Sequence, residues 1–193
     1  MIHAKNNLKY INEDTKILIL GTMPSTTSRD TFFYHKSTNQ FWPILSKLYN
    51  RDDICHLSKT KRQCSKDEEN NLIKARQNFL KKHKIGLWDI IDECYIKGSK
   101  DSSIKNPIYN DLTKLKNEAP NLEHIYFSSK KAFQYYQKYL KQKDTYKNLN
   151  NPLYKNWLEN IVVKEPLPSP SSANAHLKLD EKIKIWSELL DII

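Results

Sequence analysis

Glycine is scarce in this chain of 193 residues, which contains only Gly21, Gly86 and Gly98. So few glycines argue against a phosphate-cradling loop of a nucleotide-binding α/β protein, which needs several of them close together. Where glycine is this rare, each one is expected at a position that does not tolerate a side chain or a restricted φ. Gly21 is therefore more informative than a glycine usually is.

Cysteine and long apolar runs are also lacking. Cys55, Cys64 and Cys94 have no C-x-x-C spacing, which excludes a simple disulfide framework and argues against a zinc or iron–sulfur cage. No apolar run approaches the roughly 20 residues of a membrane span, and the N-terminus lacks the apolar core of a signal peptide. We expect a cytoplasmic protein (nucleoid-associated in a prokaryote) with reduced thiols, no membrane partner and no metal or organic cofactor.

Basic residues are in excess: 32 lysines and arginines stand against 22 acids, a net charge of +10. Such a charge suits nucleic acid, because neutralising phosphates releases counterions. Simple compositional bias is the alternative, since lysine heavily outnumbers arginine. The densest basic tract, Lys130–Lys155, interleaves lysine with tyrosine. It fits either a groove that follows a phosphate backbone or a solvated helix face.

Strand-like and helix-like segments alternate along the chain, which predicts a single α/β domain, residues 1–193, with a mainly parallel sheet. Residues 1–15 are expected to be a lead-in with at most a short helix, and Asp92–Asn106 a loop. Helices are predicted from Asn39, over Lys66–Lys84, Asn110–Asn117 and Lys130–Lys143, and from about Leu177. The four predicted strands are Lys16–Leu20, Gly86–Ile91, Glu123–Ser128 and Asn160–Glu165.

The first predicted strand stops at a turn formed by Gly21, Thr22, Met23, Pro24 and Ser25. In open α/β sheets, ligands bind at the carboxyl ends of the strands, so this turn is a candidate site. The connection over 21–38 exceeds the usual length of about 2–6 residues, and long connections in compact domains are often functional. Asn39 follows at or next to the start of a helix, where position alone favours a plain helix cap.

The last predicted strand ends in a loop rich in proline and serine, Leu167–Ser172. In a parallel sheet this loop and the Gly21 turn emerge at the same edge, so they can flank one cleft. Prolines stiffen a loop, and serine hydroxyls with free backbone N–H groups can hold phosphates. Either loop alone would be interpreted as a structural turn; their pairing favours a site that grips a nucleic-acid backbone.

Several motifs together resemble the uracil-DNA glycosylase superfamily, and most closely its hypoxanthine-DNA (deoxyinosine) glycosylase branch. They occur in the family's order and cover essentially the whole chain. The motifs are Gly21-Thr22-Met23-Pro24-Ser25, Ser28-Arg29-Asp30, Phe33-Tyr34, Asn39-Gln40-Phe41-Trp42, Gly86-Leu87-Trp88-Asp89-Ile90-Ile91, Gly98-Ser99, Asp101-Ser102-Ser103-Ile104, Leu167-Pro168-Ser169 and Ala173-Asn174-Ala175.

The resemblance implies a three-layer α/β/α sandwich around a short, mainly parallel four-stranded sheet. It implies an enzyme that acts as a monomer on double-stranded DNA. The enzyme flips out a damaged or mispaired base and hydrolyses its N-glycosidic bond without a cofactor. It assigns the catalytic amide to Asn39 and stacking on the flipped base to Tyr34. The base pocket would be walled by Gly21, Thr22, Met23, Pro24 and Ser25, and DNA would be gripped by Leu167, Pro168, Ser169, Pro170, Ser171 and Ser172.

Asn39 is expected to orient the attacking water through its carbonyl oxygen or to bond the edge of the base. Asp30 is an alternative base, although a loop salt bridge or cap is favoured for it. His35 is another, with a plain surface histidine favoured. Leu167 stands where the main uracil-removing enzymes carry histidine, which argues against a strict preference for uracil and leaves the preferred base open. The alternatives are a mismatch-specific uracil or thymine glycosylase, and a catalytically silent DNA-binding module on the same fold.

Overall fold

The computed structural model describes residues 1–55, 65–142 and 152–191. Two sheets form in this part of the chain. One is parallel and four-stranded, in the order β3-β2-β6-β7, and the other is antiparallel and three-stranded, in the order β1-β4-β5. The strands are β1 (Ile2–Lys5), β2 (Ile17–Gly21), β3 (Ile85–Asp89), β4 (Ile91–Ile96), β5 (Lys105–Tyr109), β6 (His124–Phe127) and β7 (Val162–Val163).

Helices and 3-10 turns connect these strands. The helices are α1 (Thr26–Arg29), α2 (Phe41–Tyr49), α3 (Lys66–Lys82), α4 (Leu115–Glu118), α5 (Lys130–Leu140), α6 (Pro152–Glu159) and α7 (Leu179–Trp186). The 3-10 turns are Asp52–Ile54, Asp101–Ser103, Leu112–Lys114 and Ser187–Asp191. No helix in the described ranges is long and apolar enough to cross a membrane.

Strand β2 lies inside the parallel sheet and is buried along its whole length. Ile17 and Ile19 pack into a core with α2, α3 and α7, whereas Leu18 and Leu20 pack into a second core with α5 and the antiparallel sheet. Successive side chains of a strand point to opposite faces of the sheet. Because both faces of β2 are covered, its sequence is continuously apolar. The predicted three-layer arrangement around a four-stranded parallel sheet is confirmed.

The antiparallel sheet contradicts two predictions. Ile2–Lys5, expected as a lead-in, pairs with β4, and the expected loop after Asp92 instead contains most of β4 and the start of β5. β4 and β5 pair with register shifts, and β5 contains Pro107 and a left-handed Asn106 at φ 48°. An edge strand tolerates proline, but its sequence then lacks the usual strand signature.

Helix boundaries follow from local capping. Ser65 and Glu68 form a reciprocal capping box at the start of α3, and Ser129 accepts a hydrogen bond from the backbone N of Ala132 at the start of α5, as expected. The predicted Asn110–Asn117 helix is a 3-10 turn followed by α4. The predicted end of α5 at Lys143 lies outside the described residues, as does Cys64. Cys55 and Cys94 are free thiols.

Candidate active site

The turn after β2 is built into the edge of the sheet. The Gly21 carbonyl accepts a hydrogen bond from Ile90 N at 2.9 Å, and the Thr22 carbonyl accepts one from Ile91 N at 3.1 Å. Gly21, Thr22, Met23 and Pro24 are buried, and Ser25 starts α1 by accepting from the N–H of Ser28. The turn is therefore a fixed wall at the carboxyl edge of the sheet, where the sequence predicted a ligand.

Asp89 is the residue of this edge that the sequence analysis did not single out as functional. It ends β3 and lies in register beside Gly21. Its side chain is 3% exposed, and its Oδ2 has no hydrogen-bond partner among the described residues. Burial, with a further contribution from the charge of Asp101, raises the pKa of Asp89 to about 8. At neutral pH the carboxyl group is therefore mostly protonated.

Tyr34 adopts a left-handed backbone conformation at φ 52°, which is uncommon for a residue with a bulky side chain. Its ring stacks on Phe41, with centroids 4.0 Å apart and planes 12° apart. This contact occupies one face of the Tyr34 ring, so a stacked base would have to use the other. The hydroxyl is buried, which, together with the charge of Asp89, raises the pKa of Tyr34. Stacking on a flipped base remains a prediction.

Asn39 has the capping contact that its position predicted. Its Oδ1 accepts a hydrogen bond from the backbone N of Phe41 at 2.9 Å, while Gln40, the formal N-cap of α2, makes no side-chain cap bond. The amide is partly buried and its direction is fixed by this bond. A cap does not exclude catalysis, because catalytic groups must themselves be held in place. The catalytic role of Asn39 remains a prediction.

The proline- and serine-rich loop is joined by hydrogen bonds to the start of α2, next to Asn39. Gln40 N donates to the Pro170 carbonyl at 2.7 Å. Lys182, which lies on α7 and is 1% exposed, donates from Nζ to Gln40 Oε1 at 2.7 Å and to the Asn174 carbonyl at 3.0 Å. The ammonium of Lys182 therefore ties the start of α2 to the proline- and serine-rich loop.

Within that loop, some side chains are anchors and others are open to solvent. Leu167 is 1% exposed and packs in the core beside α2 and α7, and Pro170 is also buried. The apolar Leu167 side chain thus anchors the loop in the core, and contact of Leu167 with DNA remains a prediction. Pro168, Ser169 and Ser171 are half-buried, and Ser172 is exposed. Contact of these residues with DNA remains a prediction.

Asp30 and His35 differ in their surroundings. Asp30 is the exposed C-cap residue of α1 and forms no ion pair with the described residues, so of the expected salt bridge or cap only a cap position is found. His35, expected on the surface, is half-buried: Nε2 lies 2.9 Å from Glu69 Oε1 and Nδ1 lies 3.3 Å from Arg76 NH1. Since Arg76 only donates, Nδ1 accepts and Nε2 carries the proton. Burial and the Arg76 charge lower the pKa of His35.

The connection between β4 and β5 supplies a further wall that the sequence analysis assigned to no role. Ser99 Oγ accepts a hydrogen bond from Thr26 N at 3.3 Å, and Asp101 bonds to the Thr22 side chain. Burial raises the pKa of Asp101, and Lys131 on α5 opposes this rise. Both contacts join the antiparallel sheet to the Gly21 turn, a tertiary relation that neither motif reveals alone.

The basic tract is partly visible on α5. Tyr135, Tyr136 and Tyr139 are buried, as core packing predicted. Lys131 and Lys138 place their ammonium groups 5.3 and 5.2 Å from the centre of the Tyr135 ring. Residues 143–151 of the tract lie outside the described residues. The helix part therefore combines a packed tyrosine face with lysines at its margin.

Fold and site together define an α/β protein with two structured loops at the carboxyl edge of its parallel sheet. The sequence model of the uracil DNA glycosylase superfamily matches residues 8–190. The chain is 35% identical over 126 residues to the hypoxanthine DNA glycosylase of Methanosarcina barkeri, and 33% identical over 128 residues to that of Methanosarcina acetivorans. Each match spans 65% of this chain and 70% of the relative.

A solution NMR structure from Methanosarcina acetivorans, described as a candidate uracil DNA glycosylase, has a similar fold. The TM-score is 0.62 at 24% identity, covering 98% of this chain and 99% of the other. The family match shows that the chain belongs to the uracil DNA glycosylase superfamily. It is a DNA glycosylase, an enzyme that hydrolyses N-glycosidic bonds in DNA.

Proposed function

We propose that this glycosylase removes hypoxanthine from deoxyinosine in double-stranded DNA. The protein acts as a monomer of one domain, flips the base out of the duplex and hydrolyses its N-glycosidic bond to leave an abasic site. The similarity to two hypoxanthine DNA glycosylases supports this choice of base. Flipping costs a few kcal/mol, and least for a mispaired base, which favours deoxyinosine over a normal nucleotide.

The observation that carries the proposal is the linkage between the start of α2, next to Asn39, and the proline- and serine-rich loop. Gln40, next to Asn39, is bonded to Pro170 through its backbone and to Lys182 through its side chain. The loop proposed to grip DNA is thus coupled to the N-cap of α2, which directly follows the proposed catalytic amide in the chain. Holding a water within about 1 Å of its productive position is worth on the order of 10²-fold in rate.

In the proposed mechanism, the base enters between the Gly21 turn and the face of the Tyr34 ring opposite Phe41. The bond to the base breaks through an oxocarbenium-like state, and negative charge grows on the departing ring. Asn39 is a neutral amide and a poor base, so it orients the water that attacks C1′. The direction that Phe41 N imposes on the Asn39 amide is what such a positioning role requires.

Asn39→Ala tests this role. The variant should bind a deoxyinosine duplex like the wild type but lose about 10²-fold or more in single-turnover excision, because the water is no longer held. Excision is measured as alkali-labile strand cleavage of a labelled oligonucleotide. Ser37→Ala, an exposed change in the same connection, is the matched control. Full activity of Asn39→Ala would remove the amide from the mechanism.

A panel of duplexes tests the choice of base. Wild-type protein is offered deoxyinosine, uracil opposite guanine, thymine opposite guanine and ethenocytosine under identical conditions. The proposal expects the highest rate with deoxyinosine. A preference for uracil or thymine in mismatches would identify a mismatch-specific enzyme. Salt-dependent binding without cleavage of any lesion would identify a silent DNA-binding module.

A further inference from the structure

The carboxyl group of Asp89 lies against the wall of the proposed base pocket. A Cβ atom added to Gly21 would overlap Asp89 Oδ1 and would lie 3.0 Å from the Tyr34 hydroxyl. Asp89 and Tyr34 therefore flank the same α-carbon, at the point where the resemblance puts the wall of the base pocket. The absence of a side chain at Gly21 is what makes room for the carboxyl group.

The Asp89 side chain is not explained by the packing of the fold. Its main-chain carbonyl accepts a hydrogen bond from Asn110 Nδ2 at 2.8 Å, so the backbone is satisfied. Oδ2 is buried and has no hydrogen-bond partner among the described residues. Burying a polar atom without a hydrogen-bond partner is unfavourable, and such atoms call for an explanation by strain, catalysis or a ligand.

The titratable groups facing Asp89 do not favour its ionised form. Tyr34 faces it from the connection between α1 and α2, and Asp101 faces it from the 3-10 turn after β4. Tyr34 is neutral, and an ionised Asp101 would repel an ionised Asp89 because both are negative. The positive charge of Lys131 lowers the pKa of Asp101 but is not among the causes that shift Asp89. Burial is the larger cause that raises the pKa of Asp89 to about 8. The group can therefore hold a proton at neutral pH in a site that excludes water.

We propose that Asp89 is the general acid of the excision reaction, donating its proton to a ring nitrogen of the departing purine. This inference rests on the proposed function. Purines leave more readily when a ring nitrogen is protonated, because the bond electrons then flow into a neutral base. A positioned acid typically contributes about 10²–10⁴-fold. Asn39 and Asp89 thus have separate tasks, one at the attacking water and the other at the leaving group.

The step balances without a further reactant. The C1′–N9 bond breaks, its electron pair goes to the base, and the proton of the Asp89 carboxyl group goes to a ring nitrogen. The water held by Asn39 forms the new C1′–O bond and releases one proton to solvent. Asp89 regains a proton from solvent after the base leaves. The products are neutral hypoxanthine and an abasic site.

Asp89→Asn tests the acid directly, because the amide keeps the shape of the side chain but has no acidic proton. Single-turnover excision from a deoxyinosine duplex is measured from pH 6 to 9.5, with duplex binding and melting temperature as controls. The wild-type rate should fall above about pH 8, where Asp89 ionises. The variant should be about 10²–10⁴-fold slower at pH 7 and lack that fall. Asp92→Asn is the matched control.

The outcomes separate the two proposals. An active wild type with an equally active Asp89→Asn variant would refute the acid and leave the proposed function standing. A wild-type excision rate that does not change across pH 8 would also refute the role of Asp89 as general acid. A wild type inactive on deoxyinosine would overturn both proposals. If the variant does not fold, the Asp89 carboxyl carbon in wild-type protein is followed by NMR, and titration near the ordinary aspartate pKa would refute the acid.

Discussion

The two loops proposed to flank the cleft, the turn after β2 and the proline- and serine-rich loop, are held in place by different means. The turn after β2 has its carbonyls bonded into the neighbouring strand and α1, so its backbone has little freedom. The proline- and serine-rich loop is fixed by buried anchors such as Leu167 and Pro170, while Ser172 is open to solvent. The first construction suits a pocket that must position atoms, and the second suits a surface that meets a polymer.

This contrast has a consequence for substitutions. A change in the Gly21 turn should act on the rate of the chemical step, because it moves groups around the base. A change in the exposed part of the other loop should act on DNA affinity. A change at Lys182, which joins the start of α2 beside Asn39 to the Asn174 carbonyl just after the proline- and serine-rich loop, should act on both quantities.

Gly21→Ala is expected to have the largest effect. The new methyl group would overlap Asp89 Oδ1 and crowd the Tyr34 hydroxyl, so the carboxyl group or the strand must move. We expect at least about 10²-fold slower excision of hypoxanthine, and overpacking should destabilise the fold by about 1–3 kcal/mol. Single-turnover kinetics and urea unfolding measure the two effects.

Gly86→Ala is the matched control for that change. Gly86 also lies in the parallel sheet, and a Cβ there would lie 2.8 Å from Thr15 Cγ2, away from the proposed pocket. It should destabilise the fold comparably while leaving the excision rate of folded protein unchanged. Equal rate losses in the two variants would show that the Gly21 effect is general destabilisation, and would remove the distinction between the two halves.

Lys182→Met is expected to have an intermediate effect. The methionine keeps most of the apolar stem but removes the ammonium that joins Gln40 to Asn174. Excision should fall by about tenfold and duplex affinity should weaken, because Gln40 and the chain at Asn174 are no longer held together. Stability should change by less than about 2 kcal/mol, since removing a buried charge offsets the lost bonds. Lys184 is exposed on the same helix, so Lys184→Met should leave both the excision rate and duplex affinity unchanged.

The sequence predicts the features that depend on residues close together along the chain better than those that depend on residues far apart in sequence. Ile17–Leu20 and the strand before Pro166 are short apolar runs next to turn residues, and both were located from local pattern. The capping contact of Asn39 is also local. Asp89 was passed over because an acid at the end of an apolar run resembles any strand end. The space for its carboxyl group depends on Gly21, and part of its raised pKa comes from the charge of Asp101; both residues lie on other segments.

Ser169→Ala should have the smallest effect of these substitutions. Its hydroxyl accepts a hydrogen bond from Ser171 N at 3.3 Å, and Ser169 is half-buried in the part of the loop proposed to meet DNA. We expect affinity for a deoxyinosine duplex to weaken by about 3- to 10-fold, as for the loss of one neutral hydrogen bond, with the single-turnover rate at saturating protein unchanged. Ser187→Ala, in the C-terminal turn, is the control. Unchanged affinity in Ser169→Ala would assign that hydroxyl to loop structure alone, whereas a reduced rate at saturation would mean that both halves of the cleft contribute to the chemical step.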